Sequence, residues 1–312
     1  MPRPLAELEA SFDVLVHDAE LPPARDELLA ASAGRDGLIL MGADRADDEL
    51  LEAAGPQLRV VANHGVGYDN VDLAAASRHG VVVANTPGIL TGATAELTIA
   101  LMLDLMRRVT EGDRFLRSRT PWHWSPSFML GAGLAGKTLG IVGLGRIGSE
   151  VARLAECFGM RVVYTGRTPQ ETAYARLQLG ELLRMADVVS LHCPLTAESR
   201  HLIDADALRA MRPDAVLVNA SRGAVVDEAA LVQALKDGEI AGAALDVYER
   251  EPEVHPGLLD LPNVVLAPHL GSATFEARDA MGMLCVEALR DVLLEGRCPE
   301  NALNPEIWRA PV

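Results

Sequence analysis

The sequence predicts an α/β protein of two lobes, each an open parallel sheet, and three observations carry that reading. The chain has 312 residues, of which 49% are hydrophobic but only 4% aromatic. Its core therefore has to be built from Ala, Val, Leu and Ile, the residues of parallel strands buried on both faces. Apolar runs of strand length alternate with helical patterns, which calls for crossover connections and parallel pairing. The alternation occurs twice, with a different kind of segment between the two series.

In the first series Asp13–His17 reads as a strand, Ala24–Ser32 as a helix, Asp36–Met41 as a strand and Ala46–Ala54 as a helix. Leu58–Asn63, Val71–His79 and Val81–Asn85 continue the pattern. Ala93–Arg119 is long, helical in pattern and poor in breakers, suited either to bridging two lobes or to packing on a second subunit. Thr120–Gly136, with Pro121, Pro126 and three glycines, reads as a loop. The second series has strands near Thr138–Gly143, Arg161–Thr165, Asp187–Cys193, Ala215–Asn219, Ala241–Asp246 and Val264–Pro268, with helices between most of them. Ala273–Glu295 is a final long helix able to return the chain to the first lobe.

Composition excludes several classes of function. A net charge of -16 repels nucleic acid and anionic lipid, and no Lys/Arg-rich run offsets it. No apolar run approaches a membrane span, and the first thirty residues lack a basic stretch followed by an apolar core. Cys157, Cys193, Cys285 and Cys298 stand far apart in no metal or redox spacing, as expected of reduced thiols in a cytoplasmic protein. No His/Cys/Asp spacing suggests a metal.

The strongest local signal is Thr138-Leu-Gly-Ile-Val-Gly-Leu-Gly-Arg-Ile-Gly148. Gly143, Gly145 and Gly148 form G-x-G-x-x-G after an apolar strand and before a helix. The first glycine permits a tight turn, the second lets backbone approach a pyrophosphate, and the third lets helix and strand pack closely. Leu144, Arg146 and Ile147 complete a loop whose N–H groups face the anion at a helix N-terminus. The next strand of such a fold normally ends in an acid that holds the ribose 2′-OH of NAD. Here it ends Tyr164-Thr165-Gly166-Arg167-Thr168, with no acid. Arg167 can pair with a 2′-phosphate and Thr165 or Thr168 can donate to it, so NADP(H) is the preferred cofactor and NAD(H) the alternative.

Three further segments follow later strands: Val218-Asn-Ala-Ser-Arg-Gly223, Leu245-Asp-Val-Tyr-Glu-Arg-Glu-Pro252 and Ala267-Pro-His-Leu-Gly-Ser-Ala-Thr274. Groups at the carboxyl ends of strands converge on the ligand crevice of an open α/β sheet. An Arg, a Glu and a His delivered there suit hydride chemistry: the guanidinium binds a carboxylate as a fork, the imidazole exchanges the alcohol proton, and the carboxylate orients the imidazole.

With these blocks the chain resembles the D-isomer-specific 2-hydroxyacid dehydrogenase family over essentially its whole length, and within it the glyoxylate/hydroxypyruvate reductases, which include enzymes acting on 2-ketogluconate. The resemblance implies a Rossmann cofactor domain (residues 95–284) inserted in a flavodoxin-like substrate domain (1–94 and 285–312). It implies reduction of a small 2-keto acid to a D-2-hydroxy acid. Arg222 would bind the carboxylate and polarise the keto oxygen, His269 would protonate that oxygen, and Glu251 would pair with His269. Val66 and Gly67, in Asn63-His-Gly-Val-Gly67, match the loop whose N–H groups meet the substrate carboxylate. Thr94 and Asp246 would lie near the nicotinamide, Cys193 and Pro194 over the adenosine side, and Ala220, Ser221 and Gly271 along the cofactor.

Trp122-His-Trp-Ser-Pro126 is unusual in so aromatic-poor a chain. It reads as an anchor for its loop or for a subunit contact, and the resemblance adds the alternative that Trp122 or Trp124 reaches a neighbouring subunit's substrate pocket. A homodimer is expected. Of the other histidines, His64 lies in the substrate loop and His192 at a strand end near the cofactor, whereas His123, His201 and His255 read as loop residues. Two alternatives stay open: a dinucleotide-sensing interaction protein without turnover, akin to a corepressor, and an NAD-dependent dehydrogenase of the same fold.

Overall fold

The computed structural model describes residues 2–19 and 21–308. They fall into two compact units, one formed by Met1–Leu90 with Thr274–Val312 and the other by Thr91–Ala273. The first unit holds three parallel strands, β1 (Gly37–Leu40), β2 (Val60–Asn63) and β3 (Val82–Ala84), in the order β1-β2-β3. Leu38 pairs with Val61 and Val61 with Val83. The two-residue period of the strands divides their side chains between two cores. Val61 and Val83 pack with Leu50 and Leu51 on one face. Val60, Ala62 and Val82 pack with Cys285, Ala288, Leu289 and Val292 of the final helix, Phe275–Leu293, on the other.

Helices α1 (Pro2–Glu9), α2 (Arg25–Ser32), α3 (Asp48–Ala54) and α4 (Leu73–Arg78) complete this unit. Asp47 and Asp72 cap α3 and α4 by accepting from the N–H groups of Leu50 and Ala75. At β3 the side chain of Asn304 acts as a substitute ladder partner, accepting from Val83 N at 2.8 Å and donating to Val81 O at 3.0 Å.

The strand expected at Asp13–His17 does not form. Among the described residues the segment pairs with no strand, and Leu15 and Val16 are 60% and 47% exposed. Its alternating sequence supplies strand propensity, but a strand also needs a ladder partner and a face to bury.

The second unit holds β4 (Thr138–Val142), β5 (Arg161–Thr165), β6 (Ala175–Arg176), β7 (Val188–Leu191), β8 (Val216–Asn219), β9 (Gly242–Leu245) and β10 (Val264–Leu266). All run parallel, in the order β10-β9-β8-β7-β4-β5-β6. The chain winds outward from β4 through β6, then crosses back to β7 on the other side of β4. The strand order therefore reverses between β4 and β7, where doubly wound sheets open a ligand crevice at their carboxyl ends. The helices are α5 (Thr91–Arg107), α6 (Val109–Arg117), α7 (Arg146–Cys157), α8 (Leu179–Met185), α9 (Ala205–Ala210), α10 (Glu228–Asp237) and α11 (Pro256–Leu259). Met102 of α5 and Val151 of α7 pack on Ile141 and Val218 on one face, and Leu182, Leu208 and Leu231 of α8, α9 and α10 pack on Leu191 and Leu217 on the other.

Three expectations change in detail. The helical stretch Ala93–Arg119 is two helices, broken at Arg108, which is left-handed (φ 58°) and pairs with Glu111 at 2.6 Å. No glycine or proline marks this break, so composition does not reveal it. The expected divisions at 94/95 and 284/285 would cut through α5 and the final helix. The units instead divide at 90/91 and 273/274, beside helix ends. Strand β6, of two residues, was not expected. Among the described residues no helix is long and apolar enough to cross a membrane.

Candidate active site

The dinucleotide loop follows β4. Gly143 has φ 97°, a conformation open to glycine at little cost, and a Cβ there would lie 2.7 Å from the Cys193 nitrogen. The exits of β4 and β7 thus touch through a missing side chain. A Cβ on Gly148 would collide with the Gly143 carbonyl oxygen, so the first turn of α7 also needs glycine to sit against the loop. Gly145, the residue before α7, faces open space, and nothing lies within 4 Å of where its Cβ would be. Leu144 is buried below while Arg146 is exposed at the helix start. Open space over a glycine beside the unpaired N–H groups of a helix N-terminus fits a pyrophosphate.

At the end of β5, Thr165 and Gly166 are half-buried and Arg167 and Thr168 exposed. Arg176 of β6 donates to Gly166 O at 2.6 Å and to Arg167 O at 3.0 Å. Two guanidinium-bearing residues therefore meet where NAD-binding folds carry an acid. Sequence reasoning missed Arg176, and a two-residue strand gives no periodicity from which to find it. Beside the loop, burial raises the pKa of the Cys193 thiol, against the pull of Arg167. His192 bonds to Ser190 Oγ at 2.8 Å, its Nδ1 is buried without a partner, and burial lowers its pKa to about 4.

The exits of β8, β9 and β10 carry the Arg, Glu and His. After β8, Asn219 closes the turn: its Nδ2 donates to Arg222 O at 2.9 Å, and its Oδ1 accepts from Ser221 N and Oγ at 3.0 and 2.8 Å. Ala220 and Ser221 lie half-buried in this turn. Arg222 Nη1 donates to Ser221 O at 2.8 Å. A Cβ on Gly223 would collide with the Tyr248 carbonyl, so this turn lies directly on the segment after β9.

His269 Nδ1 lies 2.7 Å from Glu251 Oε2, and Glu251 Oε1 accepts from Tyr248 N at 2.9 Å. Of the three acids in this loop it is Glu251 that reaches the imidazole, while Glu249 pairs with His201 at 2.6 Å. Burial works against ionisation of Glu251, but the His269 hydrogen bond and charge, the Tyr248 amide and the Arg222 charge together outweigh it and lower its pKa. The Glu251–Pro252 peptide is cis.

His269 itself is left-handed (φ 53°), and Asp246 holds it there. The Asp246 carbonyl accepts from His269 N at 2.8 Å, and its carboxylate accepts from Leu270 N at 2.6 Å and Gly271 N at 2.8 Å. Thr94 Oγ1, buried in α5, donates to Gly271 O at 2.9 Å. A separate cavity of about 440 Å³, lined by Met106, Leu130, Val216 and Val264 among others, includes none of the expected site residues.

Residues 99–271 match the family described as D-isomer specific 2-hydroxyacid dehydrogenase, NAD binding domain. The chain belongs to this dehydrogenase family. It is 46% identical over 310 residues to a glyoxylate reductase of Thermococcus litoralis, covering 96% of this chain and 93% of the relative. It is 47% identical to one of Aeropyrum pernix, covering 98% and 94%. Among solved structures, the TT0316 protein of Thermus thermophilus superposes with a TM-score of 0.92 at 47% identity, covering 96% of each chain. An NADPH-dependent glyoxylate/hydroxypyruvate reductase of Sinorhizobium meliloti, in complex with NADP and malonate, gives 0.81 at 38% identity, covering 89% and 86%. The dehydrogenase thus has the family's Rossmann NAD(P)-binding domain and a separate substrate-binding lobe.

In the first unit of the dehydrogenase, the loop after β2 is held by two asparagines. Asn63 Nδ2 donates to Gly67 O and Asn85 Nδ2 to Val66 O, each at 2.8 Å. With their carbonyls tied down, Val66 and Gly67 keep N–H groups that donate to nothing among the described residues. His64, in the same loop, is buried. Neither that burial nor the role of Tyr248 as a carboxylate anchor could be foreseen from spacing.

Proposed function

We propose that this dehydrogenase reduces small 2-keto acids, glyoxylate and hydroxypyruvate among them and 2-ketogluconate as a further candidate, to D-2-hydroxy acids with NADPH. The observation that carries the reading is the His269–Glu251 hydrogen bond within reach of the Arg222 charge, at the carboxyl ends of the strands that follow the dinucleotide loop. The names of the relatives, glyoxylate reductases and an NADPH-dependent glyoxylate/hydroxypyruvate reductase, support it.

The residues present fit NADP(H). Gly143, Gly145 and Gly148 leave room for the pyrophosphate against α7, and Thr165, Arg167 and Thr168 suit a 2′-phosphate that an acid would repel. NAD(H) is the weaker candidate. Bound NADPH supplies the hydride. Arg222 binds the substrate carboxylate and polarises the keto oxygen; in the first unit, the unengaged N–H groups of Val66 and Gly67 suit a carboxylate as well. His269, with Nδ1 turned to Glu251, delivers a proton from Nε2 to that oxygen, and Glu251 stabilises the protonated imidazole before transfer. Reduction consumes a proton, so reduction is favoured at lower pH and the reverse oxidation at higher pH.

A steady-state panel of glyoxylate, hydroxypyruvate and 2-ketogluconate, each with NADPH and NADH, tests the reading. Rapid NADPH oxidation with at least one acid is expected. Cofactor binding with no turnover on any of them would overturn it in favour of a sensing protein.

A homodimer accompanies this proposal. Trp122 stacks on Phe128 with centroids 5.6 Å apart, Phe128 meets Phe115 edge-on, and Trp124 is 80% exposed. An exposed indole on an aromatic scaffold suits a subunit contact. Sedimentation of Trp124→Asp should then show monomer. The four free thiols support a cytoplasmic location.

A further inference from the structure

Two adjacent amides in the segment after β9 each hold a carboxylate. The Tyr248 N–H donates to Glu251 Oε1 at 2.9 Å, and the Glu249 N–H donates to Glu228 Oε1 at 2.7 Å. Glu251 belongs to the same loop, whereas Glu228 comes from the first turn of α10. The peptide joining Tyr248 to Glu249 is also pressed from the side of Gly223. A Cβ there would lie 1.8 Å from the Tyr248 carbonyl carbon and 2.4 Å from the Glu249 nitrogen. Beyond that peptide, the Glu249 carboxylate meets His201 Nε2 at 2.6 Å and Arg200 Nη2 at 3.4 Å. All of these residues belong to the second unit.

The helix that carries Glu228 does not account for its burial. Asp227 caps α10 by accepting from Ala230 N at 3.0 Å, and an acid in the first turn favours the helix dipole from an exposed position equally well. Yet Glu228 is only 6% exposed, and the Glu249 amide is its one hydrogen-bond partner among the described residues. Burial raises its pKa, helped by the charges of Glu249 and Glu251 and opposed by the Glu249 amide and by His255. An apolar side chain of the same size would avoid the cost of burying a carboxyl group, so the single bond it makes calls for a reason.

We propose that Glu228 is a positioning residue for the reduction: by holding the Glu249 amide it keeps the neighbouring Tyr248 amide on Glu251, and with it Glu251 on His269. The inference rests on the reading that His269 is the proton donor. The hydrogen bond from Tyr248 N to Glu251 spans the Tyr248–Glu249 peptide. Once that peptide loses the Glu228 oxygen it can rotate, and rotation there pulls the Glu251 carboxylate and the Tyr248 amide apart. The charge of Glu228 and its hydrogen bond act on Glu251 in opposite directions. The charge opposes ionisation of Glu251, whereas the bond favours it, because the Tyr248 amide is among the groups that lower the Glu251 pKa.

The test follows kcat for glyoxylate reduction by NADPH against pH in the full-length enzyme. Activity should fall on the acid side as Glu251 takes a proton and releases His269. Glu228→Leu removes the acceptor at similar volume. Its kcat should fall about tenfold, with KM for glyoxylate and for NADPH changing less than about twofold. Its acid limb should move up by about one pH unit, the worth of a hydrogen bond to a charged group. Glu228→Gln keeps an acceptor without the charge, so it should recover most of kcat and place the acid limb at or below that of wild type. A merely structural role would lower melting temperature and kcat and leave the limb in place. An acid limb in Glu228→Leu that is unmoved or lower overturns the proposal, and so does one in Glu228→Gln that rises as far. Should Glu228→Leu not fold, Glu228→Asp decides. One methylene short of the Glu249 amide, it should raise the limb by about half a pH unit, and an unmoved limb overturns the assignment. Wild-type enzyme that turns over neither glyoxylate nor hydroxypyruvate, or His269→Gln with wild-type kcat, refutes the reductase reading, and the role of Glu228 falls with it. An active, titrating wild type with an unmoved limb in the variants refutes the role of Glu228 alone.

Discussion

Glu251 is held at both carboxylate oxygens: Oε2 lies 2.7 Å from Nδ1 of His269, and Oε1 accepts from the Tyr248 N–H at 2.9 Å. The backbone thus aims one carboxylate oxygen at one ring nitrogen. The imidazole then carries its proton on Nδ1 toward Glu251 and turns Nε2 outward.

Substitution of either partner should separate chemistry from binding. For His269→Gln we expect kcat to fall about 10²–10⁴-fold while the dissociation constant for NADPH, measured by fluorescence titration, is kept. Glu251→Gln should keep the fold and lose a pH-dependent part of its stability. The folded carboxyl has a pKa below the ordinary 4.5, so its contribution is full above that value and is lost as pH falls through the lower, folded value. Melting temperatures of wild type and Glu251→Gln should therefore differ near neutrality and converge as pH falls below the ordinary carboxyl range.

Cofactor preference should lie in the loop after β5. Arg167→Ala should raise KM for NADPH about tenfold or more, the worth of a lost charge-assisted contact, and leave that for NADH nearly unchanged. Arg176→Met removes the bonds to Gly166 O and Arg167 O, so it should weaken NADPH in the same direction by loosening the loop. Parallel titrations with NADPH and NADH check both.

His192 should make the protein acid-sensitive. Its folded pKa is about 4 against an ordinary 6.5, so between those values the unfolded chain binds more protons and stability falls as pH falls. The shift corresponds to about 3 kcal/mol as an upper bound, fully lost only below the folded value. His192→Gln should flatten the melting-temperature profile between about pH 6.5 and 4.

Gly223→Ala should be among the most damaging single-methyl additions. The new Cβ would overlap the Tyr248 carbonyl, which is backbone and has no rotamer to change. Overpacking costs about 1–3 kcal/mol or more, and here the displacement would also carry Arg222 away from Glu251. Denaturant midpoints and kcat/KM should fall together.

Much of the second unit was legible because its signals are local. The glycines of the β4–α7 loop, the apolar strands and the Arg, Glu and His blocks each sit within a few residues of the element that positions them. The unreadable parts depend on distant partners. Asp13–His17 alternates like a strand yet finds no ladder, Arg108 breaks a helix that composition would continue, and Arg176 matters only because β6 places it beside Gly166.

One residue, Asp246, fastens His269, Leu270 and Gly271 through three hydrogen bonds. A histidine so tightly tethered leaves little freedom for lineages to move its imidazole by small shifts of its loop. Diversification among related enzymes should accordingly be conservative around this anchor, much as a tool keeps its handle while its bits are exchanged.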